Sequence, residues 1–291
     1  MKRAYKVVDV FTHRPLLGNP VAVVLDAQGL SSDEMQAIAR WTNLSETTFV
    51  LPPETAEADY RLRIFTPGSE LPFAGHPTLG SAHALLEAGR IAPRPDGRVI
   101  QQCGAGLIAL TVQGASDDRQ LAFDLPRAKI ETLHETDTAE LERVLGCKVS
   151  RQSPPAVVNV GPVWVVAQIT SAAAGLELQP DLASLASFER RLGVTGVTVF
   201  GAHERGDAAI EVRTFAPSCG VNEDPVCGSG NGSVAAFQFQ RGLLPADGGC
   251  YLATQGRCVG RDGRIEVNVD AKGNVRVGGA CVTCVDGSLT L

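Results

Sequence analysis

Two glycine-rich stretches of the chain share one plan: RIFTPGSELPFAGHPTLGSAHALLEAG at residues 63–89 and RTFAPSCGVNEDPVCGSGNGSVAAFQFQRG at residues 213–242. Each begins with Arg-x-Phe-x-Pro, continues to Glu-x-Pro, reaches a turn of small residues and ends in a helix-like run. The Arg-x-Phe-x-Pro motifs lie 150 positions apart and the Glu-x-Pro motifs lie 153 apart. We interpret the pair as a duplicated strand–loop–helix unit.

Each small-residue turn is predicted to begin a helix whose N-terminus faces a ligand. The first backbone N–H groups of a helix have no partner within it and carry partial positive charge. Glycines at Gly75 and Gly228 let a ligand approach the backbone closely. Two such termini in a cleft between domains would hold a carboxylate. Gly75, Gly228, Ser229 and Gly230 are therefore candidate substrate-binding residues.

The composition is typical of a folded protein without nucleic-acid or membrane partners. The chain has 291 residues, of which 44% are hydrophobic and 20% charged, which suggests two packed domains. Its net charge is −6 and no Lys/Arg-rich run forms the basic stripe of a nucleic-acid binder. Because no signal peptide or long apolar run is found, we expect a cytoplasmic protein whose eight cysteines are free thiols.

Local patterns predict alternating strands and helices. SSDEMQAIARWTN is a helix capped by Ser31 or Ser32, and RVIQQCGAGLIALTVQG is a hairpin. The helices of the two repeated stretches are predicted over PTLGSAHALLEAGR, from Pro77, and SVAAFQFQRGLL, from Ser233. A polar, proline-broken segment from about residue 116 to 135 is the candidate crossing between domains.

Six motifs occur in order along nearly the whole chain: GNPVAVV at 18–24, NLSETTFV at 43–50, RIFTP with ELPFAGHPTLG within 63–80, NVGPVW at 159–164, EDPVCGSGNG at 223–232 and QGRCVGRDGRIEV at 255–267. With these motifs the chain resembles the diaminopimelate-epimerase fold and, within it, the phenazine-biosynthesis isomerase (PhzF-like) family. ELPFAGHP together with SETTFV is the most specific part of the match.

The resemblance implies an α+β fold of two pseudo-symmetric domains, each a mostly antiparallel sheet wrapped around a central helix, with the active site between them. We place the domains at 1–118 and 119–282, with the last strand, about 283–291, returning to the first. The resemblance implies an isomerase that moves a proton on a small carboxylate-bearing substrate, without metal, flavin or nucleotide cofactor. A homodimer is compatible with the sequence.

The resemblance also implies that Glu46 is the acid/base residue, with His76 and Asp224 beside it. A carboxylate in an apolar cleft has its pKa raised toward the range useful for proton transfer. His76 would donate to a developing enolate or position the substrate. Asp224 would orient His76 or bind a substrate amine or hydroxyl, and Ser45 is a further substrate-binding candidate.

Cys227 has two readings. The racemases and epimerases that the fold implies use two thiols, one at the start of each helix, and a helix N-terminus lowers the pKa of a thiol. The first repeat, however, carries Ala74 where a second cysteine would stand. We therefore favour Cys227 as a small buried residue that contacts substrate, and keep a Cys227-dependent racemase or lyase as an alternative, beside a non-catalytic small-molecule-binding homologue.

Two further patterns carry little weight. Cys281 and Cys284 form a single C-x-x-C, whereas a zinc ribbon needs a second pair, so we expect them to pack in the core. The Gly228–Gly232 turn lacks the third glycine of a dinucleotide-binding loop.

Overall fold

The chain folds into two compact units. The structure, a computed structural model, describes residues 1–114 and 118–291. The first unit comprises Met1–Phe123 and Gly278–Leu291, and the second comprises Asp124–Val277. The sequence-based bounds at 118/119 and 282/283 fall near these points, and residues 116 and 117 of the predicted crossing segment lie outside the described residues. None of the described helices is long and apolar enough to span a membrane.

Among its described residues, the first unit contains two α-helices and the strands that surround them in the chain. Its elements are β1 Lys2–Val10, β2 Asn19–Val24, α1 Ser32–Thr42, β3 Glu46–Leu51, β4 Tyr60–Phe65, β5 Glu70–Leu71, α2 Gly75–Glu87, β6 Arg98–Cys103, β7 Gly106–Gln113 and β8 Gln120–Asp124.

The second unit repeats this order with more helices. Its elements are β9 Lys129–Thr132, α3 Glu135–Leu145, β10 Ala156–Asn159, β11 Val163–Gln168, α4 Ala172–Glu177, α5 Leu182–Leu192, β12 Gly196–Ala202, β13 Ile210–Ala216, β14 Val221–Asp224, α6 Gly228–Gln240, β15 Gly249–Gln255 and β16 Gly263–Val269. The last strand, β17 Val275–Thr290, begins in the second unit and continues in the first.

The strand pairing confirms the internal repeat. In the first unit β2 pairs with β3 in parallel, β3 with β4 antiparallel, β4 with β6 in parallel and β6 with β7 antiparallel. In the second unit β11, β12, β13, β15 and β16 repeat that series with the same directions. The two stretches recognised by their motifs therefore occupy equivalent places in two equivalent series of strands.

The helices α2 and α6 are the buried helices of their units. Both are 13 residues long, and every residue of α2 from His76 to Leu86 is buried. By contrast α1 buries a single face, and its capping box uses Ser31, which decides between the two predicted caps. A helix buried all round must carry small residues, and a methyl group at Gly80 of α2 would lie 2.4 Å from a Val21 methyl.

Both buried helices begin earlier than the sequence predicts. The prediction of Pro77 and Ser233 as starting points is wrong, because α2 begins at Gly75 and α6 at Gly228. The glycines that we read as a turn before each helix form its first turn instead. The backbone at Gly75 and Gly228, which is predicted to meet a ligand, is therefore part of the helix itself.

The motif residues shared by the repeats form the same ion pair in both units. Arg63 binds Glu70 through Nε and Nη2 at 2.7 and 2.6 Å, and Arg213 binds Glu223 through the same atoms at 3.0 and 2.7 Å. Each guanidinium also lies over the phenylalanine two residues further on, at 5.1 and 4.9 Å from the ring centre. This bidentate and stacked geometry explains why arginine, phenylalanine and glutamate recur together.

The two ion pairs differ in burial. The Arg213 and Glu223 side chains are 6% and 10% exposed, whereas those of Arg63 and Glu70 are 19% and 42% exposed. Arg213 also donates to the backbone carbonyls of Gly175 and Leu178 at 2.9 and 2.8 Å. The buried pair thus fixes the end of α4 as well as the strand that leads to α6.

We expect Arg213→Met to lower the free energy of unfolding by about 3–5 kcal/mol, because it leaves Glu223 buried without its cation. The matched substitution Arg63→Met should cost about 1 kcal/mol or less, since that pair is closer to solvent. Urea denaturation of both variants tests this difference. Equal losses in the two variants would show that burial does not distinguish the two copies.

Candidate active site

Glu46 and His76 meet within the first unit. Glu46 is the first residue of β3 and stands opposite Val21 in the parallel pair with β2. His76 is the second residue of α2. The Glu46 Oε2 and His76 Nε2 atoms lie 3.3 Å apart, with side chains 15% and 9% exposed. The structure therefore brings together two of the three predicted catalytic residues.

The environment of His76 favours its neutral form. Burial lowers the pKa of His76 to about 3, although a hydrogen bond to the Pro20 backbone acts in the opposite direction. Proline has no backbone N–H, so the Pro20 group is the carbonyl and the ring nitrogen donates to it. With Nε2 turned to Glu46, the donor is Nδ1, which leaves a neutral Nε2 with a lone pair toward the carboxyl group.

Gly75 and Ser45 flank this pair. A methyl group at Gly75 would lie 2.8 Å from Cζ of Phe123, so the ring can approach the start of α2 only because residue 75 is glycine. Ser45 precedes Glu46 and is partly buried. Ala74, at the N-cap of α2, makes no side-chain capping bond. The first turn of α2 thus lacks the local acceptor that helices commonly have.

A second group of predicted residues meets at the start of α6. Asp224 ends β14 and accepts a hydrogen bond from the Val226 N–H at 3.0 Å. Cys227 is the N-cap of α6, and its Sγ accepts from the Gly230 N–H at 3.3 Å. The Cys227 thiol also forms a side-chain hydrogen bond with Asp224. The second unit therefore places a thiol against a carboxyl group at a helix N-terminus.

The pKa of both groups is shifted upward. Burial raises the pKa of Asp224 to about 6, against the hydrogen bonds from Val226 and Cys227. Burial also raises the pKa of the Cys227 thiol well above its ordinary value, and the nearby Asp224 charge raises it further. These shifts oppose a Cys227 thiolate, and they agree with the favoured interpretation of Cys227, which is 6% exposed, as a small buried residue.

Ser229 and Gly230 complete this group. The Ser229 Oγ lies 3.6 Å from Cys227 Sγ and accepts a hydrogen bond from the Trp164 indole at 3.1 Å. A methyl group at Gly230 would lie 2.8 and 3.0 Å from the hydroxyl oxygens of Thr214 and Thr198. Gly230 thus leaves room for two hydroxyls beside the first turn of α6, and Gly228 is its first residue.

Gln255 is a residue of this site that sequence reasoning missed. Its Oε1 accepts from the Cys227 N–H at 3.1 Å and from the Asn231 amide at 2.8 Å, and its Nε2 donates to the Asp224 carbonyl at 2.9 Å. One buried amide therefore fixes both ends of the turn between β14 and α6. Gln255 begins the QGRCVG motif, but nothing in that motif indicated a contact 28 residues away.

The sequence of the chain is similar to those of known proteins. A family model described as "Phenazine biosynthesis-like protein" matches residues 8–287. The chain is 44% identical to antisense-enhancing sequence 1 of Schizosaccharomyces pombe over 98% of each chain. It is 36% identical to trans-2,3-dihydro-3-hydroxyanthranilate isomerase of Pseudomonas aeruginosa over 92% of this chain and 91% of that one.

Solved structures show the same family similarity. A predicted epimerase from Pseudomonas aeruginosa superposes with a TM-score of 0.82 at 32% identity and covers 99% of both chains. A PhzF-family phenazine biosynthesis protein from Bacillus anthracis superposes with a TM-score of 0.90 over 100% of both chains, at 23% identity, which supports the fold alone.

We expect Asp224→Asn to stabilise the protein at neutral pH. The folded-state pKa of Asp224, about 6, lies above its ordinary value of 3.8, so the folded state binds the proton more tightly than the unfolded state. The stability of the wild type relative to Asp224→Asn should therefore fall as the pH rises from about 4 to 6 and stay low above that. The difference above pH 6 should reach up to about 3 kcal/mol.

Urea denaturation of both proteins between pH 3.5 and 8, at roughly half-unit steps, measures this difference. A constant offset between the two curves would contradict the shifted pKa of Asp224.

We expect Gln255→Met to lower the free energy of unfolding by about 1–3 kcal/mol, because it leaves the Cys227 N–H and the Asn231 amide without their acceptor. The exposed Gln113 on β7 offers a matched control, and Gln113→Met should change stability by no more than about 0.5 kcal/mol. Amide hydrogen exchange should be accelerated at Cys227 in Gln255→Met. Unchanged exchange there would remove Gln255 from its positioning role.

Proposed function

The chain belongs to the phenazine biosynthesis-like family and is an isomerase, and from this premise we propose that Glu46 moves a proton on a small carboxylate-bearing substrate without a cofactor. The observation that carries the proposal is the 3.3 Å contact between Glu46 Oε2 and His76 Nε2 in a largely buried setting.

In the proposed reaction the Glu46 carboxylate takes a proton from a carbon of the substrate. The C–H bond breaks, the carboxyl O–H bond forms, and the electron pair of the C–H bond moves into the conjugated carboxylate system of the substrate. The O–H bond of Glu46 then breaks and the proton bonds to a different carbon. The product is an isomer, and Glu46 returns to its starting form.

His76 supports this step as an acceptor. Because its pKa is lowered to about 3 and Nδ1 donates to the Pro20 carbonyl, Nε2 is the free acceptor position on the ring. Nε2 would accept a hydrogen bond from Glu46 while Glu46 carries the substrate proton. This holds the carboxyl group in one orientation between taking the proton and returning it. The expectation that His76 donates to a developing enolate fits this tautomer less well, because Nε2 carries no hydrogen.

The group at the start of α6 is proposed to bind the polar groups of the substrate. Ser229 and the backbone at Gly228 supply donors for a carboxylate, beside the Gly230 N–H that donates to Cys227 Sγ. Asp224 supplies a carboxyl group for a substrate amine or hydroxyl. A substrate with these groups belongs to the class of small amino or hydroxy acids, and the compound named for the relative from Pseudomonas aeruginosa is a cyclic member of that class.

We expect purified protein in D2O to exchange a carbon-bound hydrogen of a suitable acid for deuterium, and Glu46→Gln to slow that exchange by at least about 100-fold. Proton NMR follows the loss of signal over a panel of small amino, hydroxy and cyclic carboxylic acids. The exposed Glu266 on β16 provides the same chemical change as a control, and Glu266→Gln should exchange at the wild-type rate.

Cys227→Ser separates the proposal from its alternative. Exchange that persists in Cys227→Ser but not in Glu46→Gln supports carboxylate catalysis. Exchange that depends on Cys227 and survives in Glu46→Gln would overturn it in favour of a thiol-dependent racemase or lyase. Binding without exchange for every bound acid would indicate a non-catalytic binding protein.

A further inference from the structure

Trp164 is a buried residue of the second unit that the proposed reaction does not use. The residue is only 4% exposed, so its neighbours pack closely against the indole. Trp164 stands opposite Gly196 in the parallel pair of β11 and β12. A methyl group at Gly196 would lie 2.7 Å from Cζ3 of the indole, so the ring fits because residue 196 is glycine.

The indole N–H of Trp164 is directed at Ser229. The Nε1 atom donates to Ser229 Oγ at 3.1 Å, across 65 positions of sequence. An indole can donate but cannot accept a hydrogen bond in the ring plane. Ser229 therefore uses a lone pair for Trp164, and its own hydrogen must be donated to another acceptor.

The acceptor that the structure shows beside Ser229 is a weak one. Cys227 Sγ lies 3.6 Å from Ser229 Oγ, and the Ser229 hydrogen bond acts to lower the thiol pKa, as a donated bond does. The thiol in turn donates to Asp224. The hydrogen bonds are thus donated in one direction, from Trp164 to Ser229, from Ser229 to Cys227 and from Cys227 to Asp224. A carboxylate oxygen is a stronger acceptor than a thiol sulfur and would displace it.

We propose that Trp164 is a positioning residue: its indole N–H occupies the acceptor side of the Ser229 hydroxyl and directs the hydroxyl hydrogen to a carboxylate ligand at the start of α6. Trp164 thereby favours ligands that present an acceptor at this point. The inference rests on the proposed function only in taking Ser229 as a group that contacts the substrate. The Trp164–Ser229 contact itself is independent of any reaction.

The first measurement tests the contact without a ligand. The chain has two tryptophans, and Trp41 is 75% exposed, so Trp41→Phe assigns the two indole N–H signals in a ¹⁵N-labelled sample. We expect Ser229→Ala to move the Trp164 indole signal and leave that of Trp41 in place. An unmoved Trp164 signal would overturn the proposal, whatever the protein binds.

The second measurement tests the role with a ligand. Calorimetric titration with anthranilate, a cyclic amino acid with one carboxylate, gives the Kd for the wild type, Ser229→Ala, Trp164→Phe and the double variant. We expect roughly tenfold weaker binding in Ser229→Ala and roughly threefold weaker binding in Trp164→Phe. In the Ser229→Ala background, Trp164→Phe should have no further effect, because Trp164 acts through the hydroxyl.

The outcomes separate the inference from the proposed function. Equal losses from Trp164→Phe with and without Ser229 would mean that the indole acts through packing, which overturns the inference and leaves the proposed function intact. If Ser229→Ala binds the ligand as tightly as the wild type does, both the contact of Ser229 with the ligand and the role of Trp164 are overturned. If the wild type binds neither anthranilate nor any acid of the exchange panel, the carboxylate role of Ser229 fails together with the proposed function, while the indole signal still reports the contact.

Discussion

A helix buried on all sides must satisfy the backbone N–H groups at its N-terminus from outside the helix, and each unit of this protein contains one such helix. In α6 the Cys227 sulfur accepts from the Gly230 N–H, and Gln255 accepts from the Cys227 N–H. In α2 the N-cap is Ala74, which has no side chain able to cap. Burial also requires small residues where neighbouring strands approach most closely, as at Gly80 beside Val21, and this requirement accounts for glycine and alanine in the two repeated stretches.

The two units share their backbone framework and differ in the residues at the start of their buried helices. The strand order, the helix length and the Arg–Glu pair with its stacked phenylalanine recur in both units. The residues that face the start of each helix do not recur. His76 in one unit corresponds to Ser229 in the other, and the strand registers place Cys103 where the second unit has Gln255. One unit thus carries the carboxylate–imidazole pair, and the other carries a thiol, a hydroxyl and a carboxyl group.

Burial has the same effect in the first unit and at the start of α6, since it favours the uncharged forms of His76, Asp224 and Cys227. It lowers the pKa of His76 to about 3 and raises that of Asp224 to about 6. The Cys227 thiol is likewise held protonated. At neutral pH the Asp224 carboxylate therefore accepts from a neutral thiol, and the Glu46 carboxyl group faces a neutral imidazole.

The sequence by itself determined the features that depend on near neighbours. The duplicated stretches, the capping box of α1 and the hairpin of β6 and β7 followed from spacing and turn residues, and the proximity of Glu46 to His76 followed from family motifs. Helix starts were misjudged, because glycines read locally as a turn are helical where tertiary packing covers them.

Only the tertiary structure decided the properties that distant residues impose. The raised pKa of Cys227 depends on burial and on Asp224, and the burial of the Arg213–Glu223 pair depends on the end of α4. The direction of the Ser229 hydroxyl depends on an indole 65 positions away. Desolvation and hydrogen bonds between remote segments arise when the chain folds, so no local pattern encodes them.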